Sequence, residues 1–193
     1  TNGGTLESTS GTQTYSGIIS GSGANLTKTG TGELTLSGGS AANTYNGDTN
    51  VDNGKLVLSR GAGAKAVSGV VNLNGGTLQL GADDQIADTT QVNFDGGIFD
   101  TNDFSEGNDS TSGIGTLKLV SDSTIDFSGT SDTLRFANDA YTAGALDIQN
   151  WNGDPVNGGG SNRLLVETDL SGGSAIGLAN YDFAGFGGVN AKV

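Results

Sequence analysis

A repeat of 21 to 22 residues constrains the fold of this chain more than any other feature. The segments TNVDNGKLVLS (49–59), VNLNGGTLQLG (71–81) and VNFDGGIFDTN (92–102) align without gaps. The matched positions are Asn50, Asn72 and Asn93, then Val51, Leu73 and Phe94, then Leu56, Leu78 and Phe99. Self-similarity at a short fixed period indicates a repeat architecture, in which each unit buries its apolar face against its neighbours.

Three further segments match only the second half of this pattern. GELTLSG (32–38) fits it one period earlier, and GTLKLVS (115–121) fits it 18 residues after Phe99. The opening string TNGGTLES also resembles LNGGTLQL (73–80). This similarity predicts that the chain opens on the second half of a coil, with the first half missing and the edge uncapped.

Apolar and polar residues alternate within each unit, which is the period of a β-strand with one buried face. Units of about 20 residues, built from such strands and Gly/Asn turns, predict an all-β fold, a right-handed parallel β-helix, because parallel crossovers are nearly always right-handed. Two ladders of stacked side chains follow from this prediction. The internal apolar ladder consists of Leu34, Leu56, Leu78 and Phe99. The amide ladder, expected at a turn or along one edge, consists of Asn50, Asn72 and Asn93.

An antiparallel sandwich or barrel is the competing fold, because spacings such as that from Leu134 to Leu146 suit turns every 8–12 residues or so. The constant register across the 22-residue offsets favours coils over hairpins. Beyond residue 120 the period blurs, and the segment after Trp151 is rich in turn residues. The sequence therefore divides into a β-solenoid repeat region at 1–149 and irregular C-terminal rungs or a cap at 150–193, which is also a candidate contact segment between subunits.

Charge and residue content argue against several classes of function. The formal net charge is −13, whereas binding to nucleic acid or to an anionic membrane surface depends on Lys and Arg. The chain contains no His, Cys or Met, which removes thiol chemistry, zinc fingers and His-based acid–base catalysis. No apolar run approaches the roughly 20 residues of a membrane span. We therefore expect neither nucleic-acid partners nor membrane insertion.

Residues 26–59, LTKTGTGELTLSGGSAANTYNGDTNVDNGKLVLS, resemble the autotransporter-associated β-strand repeat. The family pattern reads approximately L-T-K-x-G-x-G-x-L-T-L-x-G-x-N-T-Y-x-G-x-T-x-V-x-x-G-x-L, and the widened loop GGSAAN is the one departure. The matching positions are Leu26, Thr27, Lys28, Gly30, Gly32, Leu34, Leu36, Asn43, Thr44, Tyr45, Gly47, Thr49, Val51, Gly54 and Leu56. The resemblance implies a secreted bacterial β-solenoid, exposed at the cell surface or released from it, of a kind that often ends in a PEP-CTERM sorting tail. It supplies no catalytic residues.

An acidic stretch without a basic residue lies between Lys65 and Lys118. Stacked coils would bring some of its carboxylates together, and Ca²⁺ takes about six to eight oxygen ligands. The strings GADDQIADT and DTNDFSEGND match neither the EF-hand spacing nor the repeat of calcium-binding β-rolls. The candidate calcium ligands are Asp83, Asp84, Asp100 and Asp103. The alternative interpretation is a solvated acidic face that keeps the protein soluble, and no other cofactor is expected.

Three classes of function remain open. The first is a non-enzymatic extracellular structural protein, whose copies join head to tail into a surface or matrix filament. The second is a carbohydrate-binding or carbohydrate-cleaving β-helix, with Trp151 or paired carboxylates facing the sugar. The third is a passive spacer within a larger passenger. We expect the first, with copies of the chain as partners and surface or matrix polysaccharide as a further candidate, because an open coil end exposes unpaired backbone groups.

Overall fold

The structure is a computed structural model that describes residues 4–61, 63–107, 113–152, 160–167 and 180–183. Sixteen strands in these ranges form two parallel sheets of eight strands each. The strands are β1 (Gly4–Glu7), β2 (Thr12–Tyr15), β3 (Leu26–Thr29), β4 (Glu33–Leu36), β5 (Thr49–Val51), β6 (Lys55–Leu58), β7 (Val71–Leu73), β8 (Thr77–Leu80), β9 (Val92–Phe94), β10 (Ile98–Asp100), β11 (Ile114–Leu119), β12 (Ser123–Asp126), β13 (Thr133–Tyr141), β14 (Leu146–Gln149), β15 (Arg163–Val166) and β16 (Tyr181–Phe183). Odd-numbered strands form the first sheet in chain order and even-numbered strands form the second.

This topology confirms the parallel β-helix, because each coil contributes one strand to each sheet. The predicted apolar ladder is present, with Leu34 aligned on Leu56, Leu56 on Leu78 and Leu78 on Phe99. Ile125 and Ile148 continue the ladder. Its side chains from Leu56 onwards are fully buried, and burial of each stabilises the fold by about 1.5–3 kcal/mol. The right-handed sense of the coil stays a prediction.

Glycines at the turns allow the coils to stack closely. Gly54 follows β5 with a φ of 65°, a left-handed conformation that side chains disfavour. A Cβ at this position would overlap the carbonyl oxygens of Gly30 and Gly32 in the preceding coil. The Asn53-Gly54 turn therefore requires glycine for both conformation and space.

GTLKLVS (115–121) contains all but the first residue of β11, which belongs to the first sheet, so its assignment to the second half of a unit is wrong. Leu117 aligns with Val92, whereas the partner of Phe99 is Ile125. The pattern is displaced because the offset between aligned residues of the first sheet widens here, from 21 residues between Val71 and Val92 to 25 between Val92 and Leu117. Alternation specifies which side chains face inward but not which sheet a strand joins, because both sheets impose the same period of two.

The opening segment is also placed differently from the prediction. Its strand β1 lies in the first sheet, with Leu6 aligned on Lys28, and β2 supplies the second strand, with Gln13 aligned on Leu34. The first described coil therefore contains both of its strands. The string GGTL marks a turn followed by a strand, and both halves of a coil use that combination.

The described strands after residue 150 continue the solenoid. Leu164 of β15 aligns with Leu134, and β16 pairs in parallel with β14. The two described strands of this segment thus belong to the same two sheets, and the division of the chain at residue 150 stays a prediction. Pro155 and most of the C-terminal stretch NYDFAGFGGVNAKV lie outside the described residues.

Candidate functional site

The predicted amide ladder is present on the outer face of the first sheet. Asn72 Nδ2 donates to Asn50 Oδ1 at 2.8 Å, and Asn93 Nδ2 donates to Asn72 Oδ1 at 2.6 Å. Its predicted place at a turn or edge is wrong. Each asparagine is the middle residue of a three-residue strand whose flanking side chains are buried, so alternation directs the amide outward. The ladder fixes the coil register and leaves a row of half-buried amides.

A second polar feature lies where each coil leaves the second sheet and turns towards the first. We call this set of buried side chains the polar corner; it consists of Asn43, Arg60, Gln85, Glu106, Asp132 and Asn162, each at most 3% exposed. Most of its hydrogen bonds run to a neighbouring coil: Asn43 Nδ2 donates to Ala66 O at 2.9 Å, and Asp132 N donates to Asn162 Oδ1 at 3.1 Å. Nothing in the sequence predicts these residues, because polar side chains in Gly-rich connections are usually exposed.

Arg60 links three coils through backbone carbonyls. Its Nη1 donates to Gly17 O and to Ser37 O, both at 2.9 Å, and its Nε donates to Ala41 O at 2.8 Å. Its own N–H donates to Gln85 Oε1 at 2.7 Å. The guanidinium suits this position because it presents several donors in a rigid fork. One side chain can therefore bond to several carbonyl groups that lie outside the strands.

Glu106 is the acidic member of the polar corner. Its Oε2 accepts from Gln85 N at 2.8 Å, and its Oε1 accepts from Gly107 N at 3.3 Å. Ile86 N lies 3.2 Å from both oxygens. Burial raises the pKa of Glu106 to about 8, although the accepted hydrogen bonds and the charge of Lys65 oppose this rise. The carboxyl group is therefore mainly protonated at pH 7. Its oxygens accept hydrogen bonds from backbone N–H groups of the preceding coil.

Lys28 is the lysine of the LTKTGTG segment, and its contacts show why a lysine occupies this position. Its side chain is fully buried, and Nζ donates to Thr29 O at 2.7 Å, to Gly30 O at 2.8 Å and to Asn53 O at 3.0 Å. Burial lowers the pKa of Lys28. The ammonium group satisfies turn carbonyls of two stacked coils, so its role is structural.

Two of the predicted calcium ligands, Asp83 and Asp84, lie in the connection after β8. Asp83 Oδ1 accepts from Ser105 N of the next coil at 2.7 Å. Asp84 is in the left-handed conformation, with a φ of 53°, and its N–H donates to Ser105 O at 3.0 Å. Both residues thus join this connection to the following one.

The other two predicted ligands, Asp100 and Asp103, lie one coil further on. Asp100 accepts from Gln79 Nε2 at 2.6 Å and from Ser128 Oγ at 2.5 Å, and Asp103 Oδ1 accepts from Thr130 N at 2.8 Å. Within the described ranges, no group of three or more acidic side chains is close enough to hold a metal ion. The structure does not bring the four candidates together, and calcium binding by this set stays a prediction.

The N-terminal coil presents an open end. In the described part of the chain, β1 and β2 each pair with a strand on one side only. Their side chains are mostly exposed, whereas β3 and β4 alternate between buried and half-buried. A cavity of about 350 Å³ opens here and is lined by apolar groups of Leu6, Tyr15, Ile19, Leu26 and Tyr45. Among the described residues, no further coil covers this apolar surface.

Residues 26–58 match the family model of the passenger-associated-transport-repeat. The chain fits an autotransporter-associated β-repeat protein. The matched segment spans β3 to β6 and contains both Lys28 and the tight turn at Gly54, so the residues that carry the resemblance are those that hold one coil on the next. The association with a PEP-CTERM tail stays a prediction.

No curated protein and no solved structure matches the chain. Among the described residues, no helix has the length and hydropathy needed to cross a membrane.

Trp151 packs against the core and is only partly exposed. Its Nε1 donates to Asn162 O at 2.9 Å, which attaches the segment after β14 to the polar corner. This contact favours a packing role over a sugar-stacking role for the indole.

Proposed function

We propose that this protein is a non-enzymatic extracellular structural subunit that assembles head to tail into a surface or matrix filament. The observation that carries the proposal is the open coil end, where β1, β2 and an apolar groove present the same architecture that every inner coil buries. Unpaired strand edges are templates for pairing with another chain. A head-to-tail contact does not close on itself and therefore produces a filament.

The backbone at this edge is set to accept another strand. Gly4 N and Ser8 N donate to β3 and its flank, at Asn25 O and Thr29 O. In a parallel ladder alternate residues bond to opposite sides, so Thr5 and Glu7 direct their N–H and C=O groups towards the open edge. A strand from another copy placed there would continue the first sheet with the register of the inner coils.

The remaining features support a scaffold over an enzyme. Each described group with a shifted pKa, namely Lys28, Tyr45 and Glu106, bonds to backbone or to a threonine inside the coil. The net charge of −13 opposes association through the faces, which favours the apolar edge of the first described coil as the contact. A passenger-type repeat fits a secreted or cell-surface protein.

Directed cross-linking tests the proposed contact. Among the described strands, one register row of the second sheet runs from Thr12 of β2 to Asp182 of β16. In a head-to-tail joint, Asp182 of one copy would stand beside Thr12 of the next, about 4.8 Å away, which suits a disulfide. Because the chain contains no cysteine, Thr12→Cys and Asp182→Cys variants each carry a single thiol.

We expect disulfide dimers when the two variants are mixed and oxidised, and few when either is oxidised alone. Ile98→Cys, on the outer face of β10, is the control for random collision, because Ile98 lies in the same row but far from both ends. The proposal fails if mixing gives no more dimer than the control and electron micrographs of concentrated protein show no fibres. A monomer of that kind would favour the spacer, and cleavage of a sugar polymer would favour the carbohydrate-active alternative.

A further inference from the structure

Asp132 of the polar corner carries a buried carboxylate oxygen without a partner. The residue is 1% exposed, and its Oδ2 accepts from the Thr101 hydroxyl of the preceding coil. Within the described part of the chain, Oδ1 has no hydrogen-bond partner. A buried carboxylate oxygen is costly unless it meets a donor, a cation or a metal ion, so this atom indicates a ligand.

A second carboxylate points to the same place. Asp103 Oδ1 and Asp132 Oδ1 both lie 2.5 Å from the position that a Cβ on Gly129 would occupy. The two oxygens are therefore separated by no more than twice that distance. Calcium–oxygen bonds are about 2.3–2.6 Å long, so a single ion can contact both oxygens. The Cα of Asp103 also lies 2.5 Å from that position, so the glycine at 129 is what allows the two coils and their carboxylates to approach this closely.

Charge also favours a cation here. Neither ion pair seen in the described residues, Lys65 with Asp88 and Arg135 with Glu167, includes Asp103 or Asp132. Two carboxylates thus approach each other without a compensating base, one fully buried and one exposed to solvent. The exposed Asp103 gives an ion access from solution.

We propose that Asp103 and Asp132 bind one calcium ion at the Gly129 turn, linking the coil that contains β10 to the coil that contains β12. Calcium suits the position because it accepts irregular sets of oxygen ligands and completes its shell with backbone carbonyls and water, whereas Mg²⁺ demands near-ideal octahedral geometry. With two protein carboxylates, the expected dissociation constant is about 10⁻⁴–10⁻³ M, the range of extracellular calcium modules. The site is independent of the proposed assembly through the coil ends.

Thermal unfolding with calcium chloride tests this site. The 193-residue chain is freed of metal with a chelator and melted without calcium, with 10 mM CaCl₂, and with NaCl of equal ionic strength. We expect calcium, but not NaCl, to raise Tm by about 3–11 °C, which corresponds to a roughly ten- to hundredfold excess over the dissociation constant for a domain of this size. Calorimetric titration should give one ion per chain.

Three variants assign the effect to the site. Asp103→Asn and Asp132→Asn should each abolish the calcium-dependent rise in Tm, while Asp126→Asn, which removes an equal charge from the outer face of β12, should retain it. Because Asp132→Asn alters a buried position and could unfold the chain, the exposed Asp103→Asn variant decides the outcome on its own. The proposal is overturned if wild type shows no calcium-specific rise, or if Asp103→Asn shows the same rise as wild type.

Discussion

Replacing Glu106 with glutamine should remove most of the pH dependence of folding stability between pH 5 and pH 8. Burial raises the pKa of Glu106 from 4.5 to about 8 in the folded chain. The folded state therefore binds this proton more tightly than the unfolded state, and stability falls as pH rises from about 4.5 and levels off above about 8. The chain contains no His or Cys, the side chains that ordinarily titrate in or near this window.

The magnitude follows from the size of the shift. One pKa unit corresponds to about 1.4 kcal/mol, so the raised pKa of Glu106 removes about 5 kcal/mol of unfolding free energy across the whole window and about 3 kcal/mol by pH 7. Glutamine cannot ionise and should be insensitive to pH at this position. It also offers one acceptor oxygen where the carboxylate has two, so a constant cost of about 1 kcal/mol is expected at every pH.

Urea unfolding at pH 5, 6, 7, 8 and 9, followed by circular dichroism at constant ionic strength, measures this effect. Wild type should lose several kcal/mol of unfolding free energy between pH 5 and 8, whereas Glu106→Gln should stay nearly level. Glu7→Gln is the matched control, because it removes the same charge from an exposed position in β1 and should leave the slope of wild type unchanged. A wild type that is level within about 1 kcal/mol, or a Glu106→Gln variant with the wild-type slope, would refute the assignment of a buried, protonated Glu106.

Two further substitutions test the hydrogen bonds between coils by the same urea assay. Arg60→Met should lower the unfolding free energy by about 3–5 kcal/mol, because three carbonyl groups lose the charged donor of a part-buried hydrogen bond, whereas Arg163→Met at an exposed position of β15 should cost less than about 1 kcal/mol. Asn72→Ala should cost about 1–3 kcal/mol through the loss of two ladder hydrogen bonds. Asn74→Ala, which loses one exposed bond to Asp52, should cost about half as much or less, and equal losses in these two variants would contradict the ladder's role.

The repeat predicted most of the coil because parallel stacking places equivalent positions directly over one another. An offset of 22 residues brought Leu34, Leu56 and Leu78 into one internal row and Asn50 and Asn72 into hydrogen-bond contact. These contacts depend only on the strand period and the coil length, and both can be measured from the sequence. The family resemblance over residues 26–58 rests on the same positions.

The assignment of strands to sheets could not be predicted in the same way. Both halves of a coil present a Gly turn followed by alternating residues, so β1 and β11 read equally well as either half. For β11 the repeat offset itself changes, from 21 residues between Val71 and Val92 to 25 between Val92 and Leu117, so a fixed period misplaces the strand. Local pattern carries no information about the path of a connection.

The amino-acid order by itself thus determined that the chain forms a parallel β-solenoid with an apolar ladder inside and a ladder of stacked asparagines, whose place on the outer face of the first sheet was decided by the structure. Only the tertiary structure decided the polar corner and the pairing of Asp103 with Asp132, because their partners are backbone groups and side chains of other coils that non-periodic connections deliver. The physical reason is that a strand makes the same contacts in every coil, so its partners follow from the period. A connection has no period, and its contacts depend on the path that the backbone takes between the two sheets.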